Sequence, residues 1–419
     1  MRAHPAPAEA GVRRALSNPV SGPHPDGSDV GMQTKDVVVI GGGVMGWSTA
    51  YHLLKEGMSG RLVVLERDPL RRVTSTSLAV GGFRQQFGTE VNIRLVRDSV
   101  AFYRAFAELM ETGQGKPDIT MRQNGYLFLG GEQTWPTLVR RHRLQRALGV
   151  EVELLSPAQI LGLVPEVELS GLVGAAYCPE DGYLDPHSVL LGFEAKARAL
   201  GAECQHVAAL GVESDAHGIK LVKTTAGTIA TRVVVNAAGA WAGEVARLAG
   251  VDLDVRPWRR QVYLCRTPLP EGREFPMVID TTGVHFRSET GNRIVAAGAT
   301  ASDGPTFDAA WDRPAFEEVI WPALADRIPC FDRLLLESGW AGLYDDNPID
   351  HNAIIGCHPQ LAGFFLINGF SGHGLMQAPA AGRALAELIL HGQFRSLDLS
   401  ALSPARFAKG ELVVEEAVI

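Results

Sequence analysis

Three glycines, Gly41, Gly43 and Gly46, stand at G-x-G-x-x-G spacing, and twenty residues past the last of them comes an acid, Glu66. Together they could hold a dinucleotide. Gly41 permits a tight turn, Gly43 lets backbone approach a pyrophosphate, and Gly46 lets a helix lie close on a sheet. The helix start at Val44 and Met45 presents free N–H groups and a positive dipole end to phosphate, and Glu66 can accept hydrogen bonds from ribose hydroxyls. Arg67 and the hydroxyls of Ser75, Thr76 and Ser77 follow, the latter suited either to capping a helix or to contacting a phosphate. Smaller glycine-bearing stretches recur at Gly82, at Ala238 and Gly239, and at Gly372, His373 and Gly374. The triplet leaves open whether the dinucleotide is FAD or a nicotinamide.

The elements needed to position these groups are legible. Val37 to Ile40 is an apolar strand, Val44 to Lys55 an amphipathic helix, and Leu62 to Leu65 a second strand, giving one βαβ unit. Helical spacing predicts a long helix over Glu90 to Met110 and an arginine-rich one over Trp135 to Leu148. Pro186 opens a helix that closes at Gly201. Thr231 to Ala242 reads as a strand running into small residues, which either admit a bulky ligand or pack tightly. From Val251 alternating strands, Gln261 to Cys265, Val284 to Arg287 and Arg293 to Ala297, predict an antiparallel sheet of a second domain. A strand at Phe364 to Asn368 and a helix near Leu375 to Leu390 restore the opening style.

The expected fold is therefore α/β, a Rossmann-like dinucleotide domain interleaved with a β-rich α+β substrate domain. The boundaries expected are 33–118, 152–250 and 339–415 for the first and 119–151 with 251–338 for the second. Residues 1–32, with five prolines and no apolar periodicity, read as a disordered extension. A net charge of −8 and the lack of a basic stripe speak against nucleic acid as partner. No run approaches the roughly 18 apolar residues of a membrane span. Five scattered cysteines, never in a C-x-x-C pair, suit free thiols in a reducing, cytoplasmic setting and offer no metal site.

Several segments, taken in order, resemble the D-amino-acid-oxidase-like FAD-dependent oxidoreductases, in particular their sarcosine oxidase and dimethylglycine dehydrogenase branch. They are the βαβ unit, STSLAVGGFRQQFG, GYLDPHSVLLGF, VVVNAAGAWA, GLYDDNPID and GFSGHGLMQAPAAGRALAELI. The resemblance implies FAD rather than a nicotinamide. It implies that Gly342, Gly372, His373, Gly374 and Leu375 meet the flavin, where a helix N-terminus would face developing negative charge. His373 is then either a flavin neighbour or a histidine satisfied by backbone.

Departures from the family are equally informative. Some relatives carry a cysteine within the stretch matching Gly342 to Tyr344, or a histidine within that matching Leu78 to Gly81, that bonds the flavin; neither type occurs here, which implies non-covalent FAD. A lysine used to activate O2 is replaced by Ala296 or a small neighbour, implying slow oxidase activity and O2 or another electron acceptor. Cations that bind substrate carboxylate in relatives fall at Met376 and Tyr344. The remaining candidates for that task are Arg84, Arg287, Arg259 and His285, since a guanidinium offers a bidentate fork.

The activity implied is oxidation of the C–N bond of a secondary or N-methylated amine, an amino acid such as sarcosine or a larger N-alkyl one, by hydride transfer to flavin N5. Tyr344, Arg84, His373 and Arg287 are the expected pocket and catalytic residues. The alternative is a flavoprotein subunit or assembly factor acting through protein partners in a hetero-oligomer.

Overall fold

The computed structural model describes residues 32–71 and 74–417. Its first layer is a six-stranded sheet in the order Ile354–Cys357, Phe364–Asn368, Val233–Asn236, Val37–Ile40, Leu62–Leu65, Glu203–Gln205. All neighbours are parallel except the outermost pair at Ile354–Cys357. Its central strands read VVVI, LVVL and VVVN and are buried throughout, as strands covered on both faces must be. On one face lie the helices Val44–Lys55, Pro186–Ala199 and Gly374–His391. On the other lie the helix Ala242–Leu248 and a four-stranded sheet containing Met32–Thr34 and Ala209–Asp215.

Close packing explains two of the glycines. Gly41 has φ +115°, and a Cβ there would stand 2.3 Å from the Ala237 carbonyl oxygen. A Cβ on Gly46 would stand 1.9 Å from the Gly41 carbonyl oxygen, so only glycine lets this helix seat on its strand. The closing helix in turn packs against the first glycine helix. Ser48 Oγ donates to the Ala378 carbonyl at 2.7 Å, and Gly382 leaves room for Ser48.

The second layer is a nine-stranded sheet dominated by two long antiparallel strands, Arg256–Arg266 and Leu335–Asp346. Its further members include Arg293–Ala297, His285–Glu289, Met277–Ile279, Tyr126–Gly131, Leu172–Cys178 and Glu153–Leu155. It is mixed rather than purely antiparallel, because Met277–Ile279 runs parallel to Tyr126–Gly131.

Several boundaries differ from expectation. Glu153–Leu155 and Leu172–Cys178 pair within this second sheet, although 152–250 reads as dinucleotide domain. Their short apolar runs, ELL and LVGAAYC, suit either sheet, and only long-range pairing assigns them. Likewise 339–346 is the end of a second-sheet strand that crosses to the first layer. The helix expected over Glu90 to Met110 breaks at Ala105 into Glu90–Arg104 and Phe106–Leu109. Met32, at the edge of the expected disordered extension, begins a strand paired in parallel with Gly227–Ala230. The rest of that extension lies outside the described residues.

Candidate functional site

A continuous cleft, partly open to solvent, runs between the two layers from the βαβ turn to the paired strands of the second sheet. At its first end Gly43 caps the helix Val44–Lys55 without any side-chain bond, and Val44 N–H is 3.3 Å from Thr76 Oγ1. A Cβ on Gly43 would meet nothing nearer than that hydroxyl at 3.5 Å. The protein's own packing does not require glycine there; a group lying against the helix N-terminus would. Glu66 is buried, its Oε2 accepting from Gly42 N–H at 3.0 Å and its Oε1 from Asp68 N–H at 2.8 Å. A carboxylate has lone pairs beyond these two bonds, so it can still receive ribose hydroxyls.

Arg67 lies 4.1 Å over the Trp241 ring, which stacks on Phe307, and Val207 to Ala209 complete an apolar slot beside them. Of the three hydroxyls at 75–77, Ser75 and Thr76 border the cleft; Ser75 Oγ donates to the Leu343 carbonyl at 2.6 Å. Ser77 does not border it, its hydroxyl lying 2.8 Å from Thr74 Oγ1, and Thr74 takes the wall position instead. Gly46 is likewise absent from the wall, since its part is packing. Ala238 and Gly239 border the cleft; Gly239 has φ +53°, and a Cβ there would meet only Ser75 Oγ, at 3.6 Å. The fit of these residues to a dinucleotide is therefore a cradle of small residues and two helix starts.

The far end is built chiefly from three segments distant in sequence. Gly342 and Tyr344 come from the second-sheet strand, Gly82 and Arg84 from the stretch after the βαβ unit, and Gly372, His373, Gly374, Leu375 and Met376 from the start of the closing helix. Gly372 has φ +93°, and a Cβ on it would stand 2.5 Å from the Tyr344 ring, so the turn is shaped to that aromatic. His373 precedes the 18-residue helix, packs edge-on to Phe87, and has Nε2 3.3 Å from Arg84 Nη2. Burial, reinforced by the Arg84 charge, pushes its pKa down to about 3, so the imidazole is neutral. Burial does the same to His285, which also borders the cleft, lowering it to about 4. Asp345 accepts from Phe370 N–H at 3.2 Å, and burial raises its carboxyl to about 6.

The arginines divide sharply. Arg84 borders the cleft but is only 1% exposed, lies 4.1 Å over Phe87, and donates to the carbonyls of Gln86 and Ala417. Arg287 does not border it; its guanidinium bonds the Ser288 and Val80 carbonyls and Glu289 and stacks on Tyr183, a structural post rather than a substrate contact. Arg259 is also turned away, bonding the Ser302 carbonyl and Asp308. Its neighbour Arg260 is the one that reaches the cleft, 25% exposed, paired with Asp303 at 3.1 Å and 5.7 Å from the Tyr344 ring. Along Arg256–Arg266 the core takes Tyr263 and Cys265, so strand alternation turns Arg260 and Val262 the other way. Trp241, Val207 and Thr74 carried no comparable signal.

Among the described residues no group of three or more His, Cys, Asp or Glu side chains could hold a metal ion, and no helix is long and apolar enough to cross a membrane. A family model described as FAD dependent oxidoreductase, DAO, matches residues 36–388. The chain belongs to the DAO family of FAD-dependent oxidoreductases. It is 36% identical over 433 residues to FAD-dependent oxidoreductase domain-containing protein 1 of Xenopus laevis, covering 93% of this chain and 86% of that protein. It is 31% identical to mitochondrial sarcosine dehydrogenase of Homo sapiens over 86% of this chain, but over only 40% of that longer protein. Among solved structures it is similar to L-proline dehydrogenase from P. horikoshii, with a TM-score of 0.83 and 31% identity, covering 91% of this chain and 100% of the other. FAD is thus the dinucleotide of this family member, and its Rossmann-like layer is the six-stranded sheet.

Proposed function

We propose that this flavoenzyme oxidises the C–N bond of a secondary or N-methylated amino acid. The observation that carries the reading is the chemistry of the far chamber. Val262, Met277 and Ala297 make its wall apolar, Tyr344 adds a phenol, and Arg260 adds one partly exposed guanidinium. A carboxylate held by Arg260 would leave the amine in apolar surroundings, which favour the neutral amine that can give up hydride. Histidines 373 and 285, neutral through burial, add no cation that would repel it.

Bound FAD supplies the hydride acceptor. The chain's own residues orient the substrate carbon, exclude water and place helix dipole at the closing-helix N-terminus, next to His373. No strong general base is required for this chemistry. Similarity to a sarcosine dehydrogenase and an L-proline dehydrogenase supports a substrate of that class.

Anaerobic mixing with a panel of N-alkyl amino acids is expected to bleach the flavin absorbance with at least one of them. Bleaching by none, with co-purifying protein subunits instead, favours the partner-binding alternative. FAD is held without a covalent bond in this reading, since 342–344 carries no cysteine, 78–81 no histidine, and no cysteine borders the cleft among the described residues. Acid precipitation should therefore leave the yellow colour in the supernatant. The strand bordering the chamber offers Ala297, Gly298 and Ala299 where a lysine would favour O2, so reoxidation in air should be slow.

A further inference from the structure

We infer that residues 411–417 act as a positioning latch, fixing Arg84 and through it the protonation pattern of His373 at the flavin end of the cleft. The inference rests on the placement of that end at Tyr344 and His373 described above. The segment has no regular secondary structure and follows the helix Ala405–Lys409 back across the molecule to the start of the helix Glu90–Arg104. There Glu415, 1% exposed, takes up a dense set of donors. Its Oε1 accepts from Gly88 N–H and Ala417 N–H, each at 2.9 Å. Its Oε2 accepts from Thr89 N–H at 3.1 Å, Thr89 Oγ1 at 2.8 Å and Asn92 Nδ2 at 3.0 Å.

So anchored, the segment presents the buried Ala417 carbonyl to Arg84 Nη2. Among the described residues the Arg84 guanidinium has no carboxylate in ion-pair contact; it is held by two carbonyls and the Phe87 face, with Glu415 the nearby charge that most favours it. A buried cation in such a position depends on every partner it has.

The consequence reaches the cleft by one more bond. A guanidinium only donates, so the His373 Nε2 that faces Arg84 Nη2 at 3.3 Å must be the accepting nitrogen. The ring is then the neutral tautomer protonated at Nδ1, whatever the pH of the surrounding solution over the working range. His373 borders the cleft at the N-terminus of the closing helix, where a fixed donor pattern stabilises negative charge. Segment 411–417 does not border the cleft, so its action on the flavin runs through Arg84 and His373.

The test is the reduction equilibrium of the bound flavin, read against a reference dye at fixed pH, in the FAD-loaded full chain. Glu415→Ala is expected to bind FAD yet shift that equilibrium about tenfold toward the oxidised form, with a changed visible flavin spectrum. Glu415→Gln, which keeps one acceptor oxygen, should give a smaller shift. In a His373→Gln background Glu415→Ala should add no more than about twofold, because the path is already cut.

A shift within twofold in the single variant, or the same tenfold shift in the His373→Gln background, overturns the latch. Loss of FAD from both Glu415 variants would assign the segment to folding alone and overturn it equally. Substrate turnover is not used, so failure of the amine panel and failure of the latch remain separate results.

Discussion

The two ends of the cleft are made by opposite strategies. At the dinucleotide turn one contiguous stretch, Val37 to Glu66, supplies strand, turn, helix and acid, and the working groups are backbone N–H and one carboxylate. At the far end Gly82, Arg84, Arg260, Gly342, Tyr344 and His373 converge from segments up to three hundred residues apart, and side chains carry the chemistry. The first end resists change wherever a Cβ would collide, as at Gly41 and Gly46. The second tolerates change wherever a neighbouring strand can offer an equivalent group, and this explains how one family can house different substrates.

The comparison can be broken most severely at Gly46. A valine there must displace the Gly41 carbonyl 1.9 Å from its Cβ, so the helix cannot seat and phosphate binding is lost. Gly46→Val is expected to purify without yellow colour, or with FAD affinity lower by about a thousandfold, measured by flavin fluorescence titration. At the other end Arg260→Met should raise the KM for an amino-acid substrate about 10- to 100-fold, the equivalent of about 1.4–2.7 kcal/mol for a lost charge-assisted bond. FAD affinity should stay within twofold. Equal losses of both would mean that the two ends are not independent.

A pH measurement sharpens how the Arg84 loop is held. Asp181 is buried beneath it, accepting from Gln85 N–H at 2.8 Å and Gln86 Nε2 at 3.2 Å, and burial raises its carboxyl to about 6. Its folded value thus lies above the unfolded one of about 3.9. The stability this contributes is full below about pH 4 and is lost as pH rises through 6, up to roughly 2–3 kcal/mol. Thermal melts of the wild type relative to Asp181→Asn should therefore show the wild type gaining as pH falls from 7 to 4. The smallest effect expected is at Ser77, whose hydroxyl meets Thr74 rather than the cleft. Ser77→Ala should change FAD affinity less than twofold, whereas Thr76→Ala, at the helix start, should change it more.

Legibility followed the same division. The βαβ unit could be read because its signals are local: a four-residue apolar strand, glycines whose spacing matches a turn, and an acid at the next strand's end. Tyr344 and His373 were reached through family resemblance, and both border the cleft. Of the candidate arginines, Arg259 shares the strand face of Tyr263 and Cys265 and turns away from the cleft, whereas Arg287 shares the face of the cleft-lining His285 but is held off by Ser288, Glu289 and Val80. Arg260, one residue on from Arg259, takes the opposite face and lines the cleft. Residues 153–155 and 172–178 pair in the second sheet although 152–250 reads as dinucleotide domain, since a short apolar run does not specify its partner.

What the sequence by itself determined is the dinucleotide cradle, the family and the absence of local candidates for covalent flavin attachment. These depend on residues within one or two turns of each other, or on motifs carried whole. What only the tertiary structure decided is that Arg260 and not Arg259 borders the cleft, that Arg84 contacts His373, and that the segment around Glu415 reaches Arg84 at all. Those depend on pairing across hundreds of residues, where one step of register turns a side chain from cleft to core and a segment without periodicity leaves no trace of its destination.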